Sequence, residues 1–357
     1  MKKQIMPKFD AKKGLEIGLY TIGDHLFQAG LSHLSVKDRI DQILDLGKMA
    51  DQAGLAIFQV GESHQEDFVS SAHLILLAAI ASQTDKIKLA SGATTISTGD
   101  PVQVFEQAAT IDLLSRERME LVCGRSARVG NFKTQDYDLD QYEELFEEKF
   151  DRLLTINTQA FPSQVDKKEE GQSLVWPRPD RPEKGLPIWQ ANSGSLQSAL
   201  QAARRGVPLH LMQVSGQVDY YQDLFQSYQE EAKAYGHGKL PIATASFMMV
   251  KDQRDQAIHK YLPKIKEGMA QTRTSYLDEL EVKDVASVEH VLNIGSPASV
   301  VEKILNQYEH FHHDRYVAQV DFAGVSLDDI KETIDYLGEK IIPCLLYTSD
   351  AADERSS

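Results

Sequence analysis

Eight short runs rich in β-branched, aromatic and small residues alternate with amphipathic stretches along this chain of 357 residues, and no other feature constrains its fold as strongly. The runs lie near residues 16–20, 57–61, 87–95, 119–123, 187–191, 209–212, 242–250 and 316–322. Between them stand helix-start signals: Ser35 with Asp38, Asp100 with Pro101 and Gln103, Ser296 with Pro297, and Ser326 with Asp329. After Asp100, the apolar positions Val102, Phe105, Ala109 and Leu113 advance at helical spacing, as a helix covering one side of a parallel sheet requires. Eight strands alternating with helices predict a closed (β/α)8 barrel over residues 1–343, with its active site at the carboxyl ends of the strands.

Two stretches interrupt the alternation. Residues 161–185 contain Pro162, Pro177, Pro179 and Pro182, a charged run at 166–170, and a flank running into Pro187; they read as an insertion loop and a candidate lid. The helical stretch 255–291 is longer than one crossover needs, and surface elaboration is the ordinary meaning of both. Residues 344–357 follow a plausible final helix and read as a non-native or disordered tail.

Composition narrows the function classes. A net charge of −15 with acidic and basic residues interspersed disfavours nucleic acid and anionic membranes as partners. The longest apolar run, 74–81, is too short to cross a bilayer, and residues 1–14 lack an apolar signal core, so the expectation is a cytoplasmic protein. Cys123 and Cys344 are the only cysteines, which fits a reducing compartment and offers no disulfide framework. The adjacent His312 and His313 have no carboxylate or cysteine at ligand spacing, so no catalytic metal is expected.

The second run ends on Gly61, Glu62, Ser63 and His64, which sets a carboxylate, a hydroxyl and an imidazole where a parallel barrel places its chemistry. Each also has an ordinary reading: a glutamate at a strand end can hold backbone amides, and a histidine there can cap the next helix. Two further clusters, Tyr20 with His25 and Phe27 and His210 with Met212 and Gln213, either shape a pocket or pack in loops and core, and packing is the commoner fate.

These landmarks stand in a recognisable order. After Gly61 to His64 come Leu89 to Thr95 with Asp100-Pro101-Val102, then Leu114 to Arg118 leading into Cys123-Gly124-Arg125, Leu186 to Trp189 leading into Ser193-Gly194-Ser195, and Gly295-Ser296-Pro297. In that order the chain resembles the bacterial luciferase-like flavin-dependent monooxygenases from Leu15 to about Pro343.

The resemblance implies an oxygenase acting on paired donors: reduced FMN, delivered by a separate reductase, reacts with dioxygen and a small organic substrate in a water-poor cavity. A sister branch uses a deazaflavin for hydride transfer instead, and a flavin-binding protein without turnover is a third reading. For the phosphate it implies Asn192, Ser193, Gly194 and Ser195 at the start of a helix, joined by Arg125. For the ring it implies a non-prolyl cis peptide at Gly92-Ala93. For proton handling it implies Glu62, Ser63 and His64, with one departure: relatives carry two histidines after the glutamate, and Ser63 takes the first place. A second departure is Glu117, where relatives usually have a turn glycine. Relatives pair through barrel helices near the second and third strands, so a homodimer is expected, with Leu74, Ile75, Leu77 and Ala78 either at that interface or in the core.

Overall fold

The computed structural model describes residues 3–10, 14–27, 29–126, 129–159, 175–272 and 277–346. Its strands are β1 (Glu16–Thr21), β2 (Ile57–Val60), β3 (Lys88–Ser91), β4 (Thr94–Thr95), β5 (Met119–Gly124), β6 (Ile188–Asn192), β7 (Leu209–Gln213), β8 (Ile242–Val250), β9 (Asn293–Gly295) and β10 (Arg315–Gln319). The helices are α1 (Val36–Gln52), α2 (His73–Ala81), α3 (Pro101–Ser115), α4 (Val129–Thr134), α5 (Tyr142–Asn157), α6 (Leu196–Arg205), α7 (Val218–Ala234), α8 (Arg254–Gln271), α9 (Val282–Ala286), α10 (Pro297–Phe311) and α11 (Leu327–Tyr336).

Every strand pairing is parallel, and β10 pairs with both β1 and β8, which closes the sheet into a barrel. The eight expected strand regions are its staves. The third stave, read as one run at 87–95, is broken into β3 and β4 around a cis Gly92–Ala93 bond. The short β9, which the alternation did not predict, pairs with the end of β8.

Side chains alternate across each strand, so one set fills the barrel and the other packs against helices. Tyr20, Ile57, Ala90, Val122, Trp189 and Val317 belong to the inner cluster, while Leu19, Phe58, Leu89 and Leu121 belong to the outer one. The four predicted helix starts are all capped, with Ser35, Asp100, Ser296 and Ser326 accepting first-turn amides. Each such cap contributes ~1 kcal/mol.

A charged plug closes the amino end. Fully buried Arg315 donates to Glu16 Oε2 at 2.8 and 2.9 Å and to Glu120 Oε2 at 2.8 Å, and Glu120 also accepts from the Trp189 indole at 2.8 Å. Burial alone would raise the Glu120 carboxyl, but the Arg315 charge overrides it and holds its pKa at about 2. Phe9 lies against the Arg315 guanidinium at 5.3 Å and meets the Trp189 ring edge-on at 6.3 Å.

The insertion is not a lid in its described part, 175–185. Its two arginines are buried, so their N–H groups need acceptors, and they find them at the amino end, away from the strand carboxyl ends. Arg181 reaches Asp112 Oδ1 at 2.7 Å and the carbonyls of Glu117 and Met119, while Arg178 reaches those of Ile156, Asn157 and Lys184. The rest of the insertion, 161–174, lies outside the described residues, as do 347–357 of the tail. Leu345, expected beyond the fold, is buried in the main core. On α2, Leu74 and Leu77 are core residues, whereas Ile75 is exposed. Among the described residues no helix is long and apolar enough to cross a membrane.

Candidate active site

The carboxyl ends of β1, β5, β6, β7 and β8 and the turns after β2 and β3 surround a cavity of about 390 Å³, within the ~300–1,000 Å³ range of small-molecule sites. The turn after β2 brings Glu62 to its wall. Glu62 Oε2 accepts the Thr95 amide at 2.8 Å, and its Oε1 lies 2.6 Å from His64 Nε2. Oriented at both oxygens, this carboxylate is fixed toward the cavity.

The other two residues of the proposed trio are placed differently. His64 does not line the cavity; its ring sits behind Glu62, with Gln135 Nε2 at 3.2 Å, and its amide donates to Asn131 on α4. Ser63 is fully buried away from the cavity, and its hydroxyl has no partner among the described residues. Alternation explains this, because successive residues leaving a strand point to opposite sides: with Glu62 inward, Ser63 faces the packed interior.

Gly92 and Ala93 both line the cavity, and the bond between them is cis, as the resemblance implies. The backbones crowd here: a Cβ on Gly61 would lie 2.9 Å from the Gly92 carbonyl oxygen, so glycine is needed for this approach.

Beside the Gly92–Ala93 bond, beyond the ends of β5 and β6, the same cavity is lined by Arg125, Asn192, Ser193 and Ser195. Ser195 caps α6 by accepting the Ser198 amide. Of the residues the resemblance implies for the phosphate, Gly194 is not part of the lining, and the backbone amides of Gly194 and Ser195 donate to Asn192 Oδ1 at 2.6 and 2.9 Å. Asn192 therefore shapes the turn. The hydroxyls of Ser193 and Ser195 and the positive end of α6 are the donor chemistry this turn presents to the cavity. Arg125 packs its guanidinium 5.4 Å from the Phe146 ring centre and donates to Glu143 Oε1 at 3.2 Å.

Two histidines complete the site: His73, which the sequence reading passed over, and His210, which it left between pocket and packing. His73, the first residue of α2, is buried with Nε2 2.7 Å from Thr94 Oγ1 and Nδ1 3.6 Å from Glu62 Oε2; burial lowers its pKa. Its local sequence carries no signal, since its neighbours come from two distant strand exits. His210 lines the cavity, pairs with Gln59 Oε1 at 3.0 Å across the barrel, and is pushed down to about 4 by burial and then by the Arg315 charge, so it is neutral at pH 7. Its inward position on β7 was legible from alternation, and Tyr20 and Met212 share the lining. His25 and Phe27 instead stack in a loop, and Gln213 is buried off the cavity.

Barrel, cavity and strand-end carboxylate together describe an α/β enzyme class. Residues 21–314 match the luciferase-like monooxygenase family, and the chain belongs to it. It is 28% identical over 173 residues to the N-acetyl-S-alkylcysteine monooxygenase of Bacillus subtilis, covering 48% of this chain and 50% of that protein. The match thus spans about half the length of that relative. Two solved structures share the fold: monooxygenase RslO1 from Streptomyces bottropensis (TM-score 0.78, 18% identity, covering 92% of this chain and 99% of that one), and the oxygenating constituent of 3,6-diketocamphane monooxygenase from Pseudomonas putida in complex with FMN (TM-score 0.71, 16% identity, covering 92% and 98%).

Proposed function

We propose that this protein is the oxygenase of a two-component system, taking reduced FMN from a separate reductase and using it with dioxygen to oxidise a small organic substrate. One observation carries the reading: a single cavity joins an apolar wall of small residues at the cis Gly92–Ala93 bond to a guanidinium and two serine hydroxyls at a helix N-terminus. That donor set suits a phosphate monoester, and the small residues leave room for a planar ring.

When bound, reduced FMN would supply the electrons that activate dioxygen. The chain's own residues do the rest. Arg125, Ser193 and Ser195 hold the phosphate, while Val122, Ala191 and Ala245 line the interior. Ile22 and Met212 keep water from the reacting centre. Glu62 takes or gives a proton at Oε1, and the His64 imidazole, which exchanges it at Nε2 and with solvent at Nδ1, relays it outward through a partly exposed side chain.

The test is to titrate purified protein with FMN, then supply reduced FMN and labelled dioxygen with a panel of aldehydes, ketones and sulfonates. Label in an organic product supports the reading. Binding of a deazaflavin with hydride transfer and no label would move the protein to the sister branch, and flavin binding without product from any panel member would favour the non-catalytic reading.

A further inference from the structure

Arg125 faces the cavity, yet a carboxylate already occupies part of its fork. Glu143, in the first turn of α5, accepts from Arg125 Nη1 at 3.2 Å and from the Tyr142 hydroxyl at 3.1 Å through the same Oε1, and Tyr142 and Glu143 line the same cavity as Ser193 and Ser195. The Arg125 side chain is 19% exposed, whereas that of Glu143 is 57% exposed. One partner is held, and the other is free to turn into water.

We infer that Glu143 is a built-in competitor for Arg125, which lowers the affinity for a phosphate-bearing flavin and keeps that flavin exchangeable. The inference rests on the flavin reading above. A phosphate monoester carries nearly two negative charges and offers three acceptor oxygens to the fork, so it displaces a single carboxylate. Displacement is not free, because the Arg125–Glu143 pair must open and Glu143 stays nearby as a like charge. Both terms fall on the phosphate and neither on the ring. An enzyme that receives reduced flavin from another protein and returns oxidised flavin gains from this, since release follows each turnover.

Glu143→Gln isolates the charge, since the amide oxygen can still accept from Arg125 and Tyr142. Dissociation constants for FMN and for riboflavin, which lacks the phosphate, are read from flavin fluorescence for the parent, Glu143→Gln and Arg125→Ala. Glu143→Gln is expected to bind FMN roughly twofold to fivefold more tightly, as removal of one partly solvated like charge implies. It should release FMN more slowly, and riboflavin affinity should not change. The gain should shrink in high salt. Unchanged or weaker FMN binding, or an equal gain for riboflavin, overturns the inference. If Arg125→Ala weakens FMN while Glu143→Gln does nothing, the flavin reading stands and this inference alone falls. If the parent binds neither flavin, both fall.

Discussion

Glu62 is the residue on which the site turns, and its geometry redistributes the roles of its neighbours. Ser63 stands where relatives carry a histidine and was expected near the proton chemistry, but its hydroxyl is buried off the cavity without a partner among the described residues. Ser63→Ala should therefore leave single-turnover product formation unchanged and hold or raise the melting temperature, since an unpaired buried hydroxyl is lost. Ser63→His should not raise activity; a fully buried serine site has no room for imidazole, and overpacking should cost ~1–3 kcal/mol. His64→Gln should slow product formation with reduced FMN and oxygen far more than it weakens FMN binding. Equal rates for parent and His64→Gln would make His64 a structural tie between Glu62 and α4.

A second residue-scale prediction concerns Asp24, buried beside Arg39 and Asp321 where the exits of β1 and β10 meet α1. Arg39 Nη2 lies 2.7 Å from Asp321 Oδ2 and 3.6 Å from Asp24 Oδ1, and Asp24 Oδ2 accepts the Ala323 amide at 2.9 Å. Burial raises the Asp24 pKa to about 6; Arg39 opposes this and Asp321 reinforces it. Native Asp24 thus keeps its proton where the unfolded chain has lost it. Its contribution to stability is full below the ordinary aspartate pKa and is lost as pH rises from about 4 to about 6. Asp24→Asn should remove that slope, so the variant gains on the parent between those pH values in urea unfolding. Parallel pH profiles would show that Asp24 does not titrate there.

At the scale of elements, most of the architecture was legible because two local signals rarely mislead: β-rich runs marked the strands, and four caps marked helix starts. What stayed hidden depends on contacts between distant segments. Nothing in Arg178 or Arg181 announces that they dock under the barrel, so the proline-rich stretch looked like a lid. His73 meets Glu62 only because two turns converge, and Asn192 takes the Gly194 and Ser195 amides through a turn that spacing alone does not reveal. The docked part of the insertion acts as a strap on the α3–β5 corner. Replacing Arg181 with methionine leaves the Asp112 carboxylate buried without its cation, which should cost ~3–5 kcal/mol in chemical denaturation. A loss below 1 kcal/mol would make the strap decorative. Glu117, whose carbonyl the strap holds, adopts φ 66°, a left-handed geometry that suits the glycine of relatives.

For the whole molecule, the consequence lies in the plug at the amino end. Glu120 is separated from its cation, Arg315, by 195 residues of chain, and Glu16 from the same cation by 299. A ribosome adding ~5–20 residues per second leaves Glu120 waiting on the order of 10 to 40 s for its counter-charge, so a nascent barrel cannot seal its floor until the last stave has left the exit tunnel. Chains arrested before Arg315 emerges should stay sensitive to protease throughout. Chains arrested far enough beyond β10 to free it should become resistant in one step, and gradual protection along the chain would show that the staves assemble without the plug. The last strand thereby works as a checkpoint on synthesis: a prematurely ended product keeps the Glu120 carboxylate in its core without Arg315, while Glu16 is left with Lys88 alone.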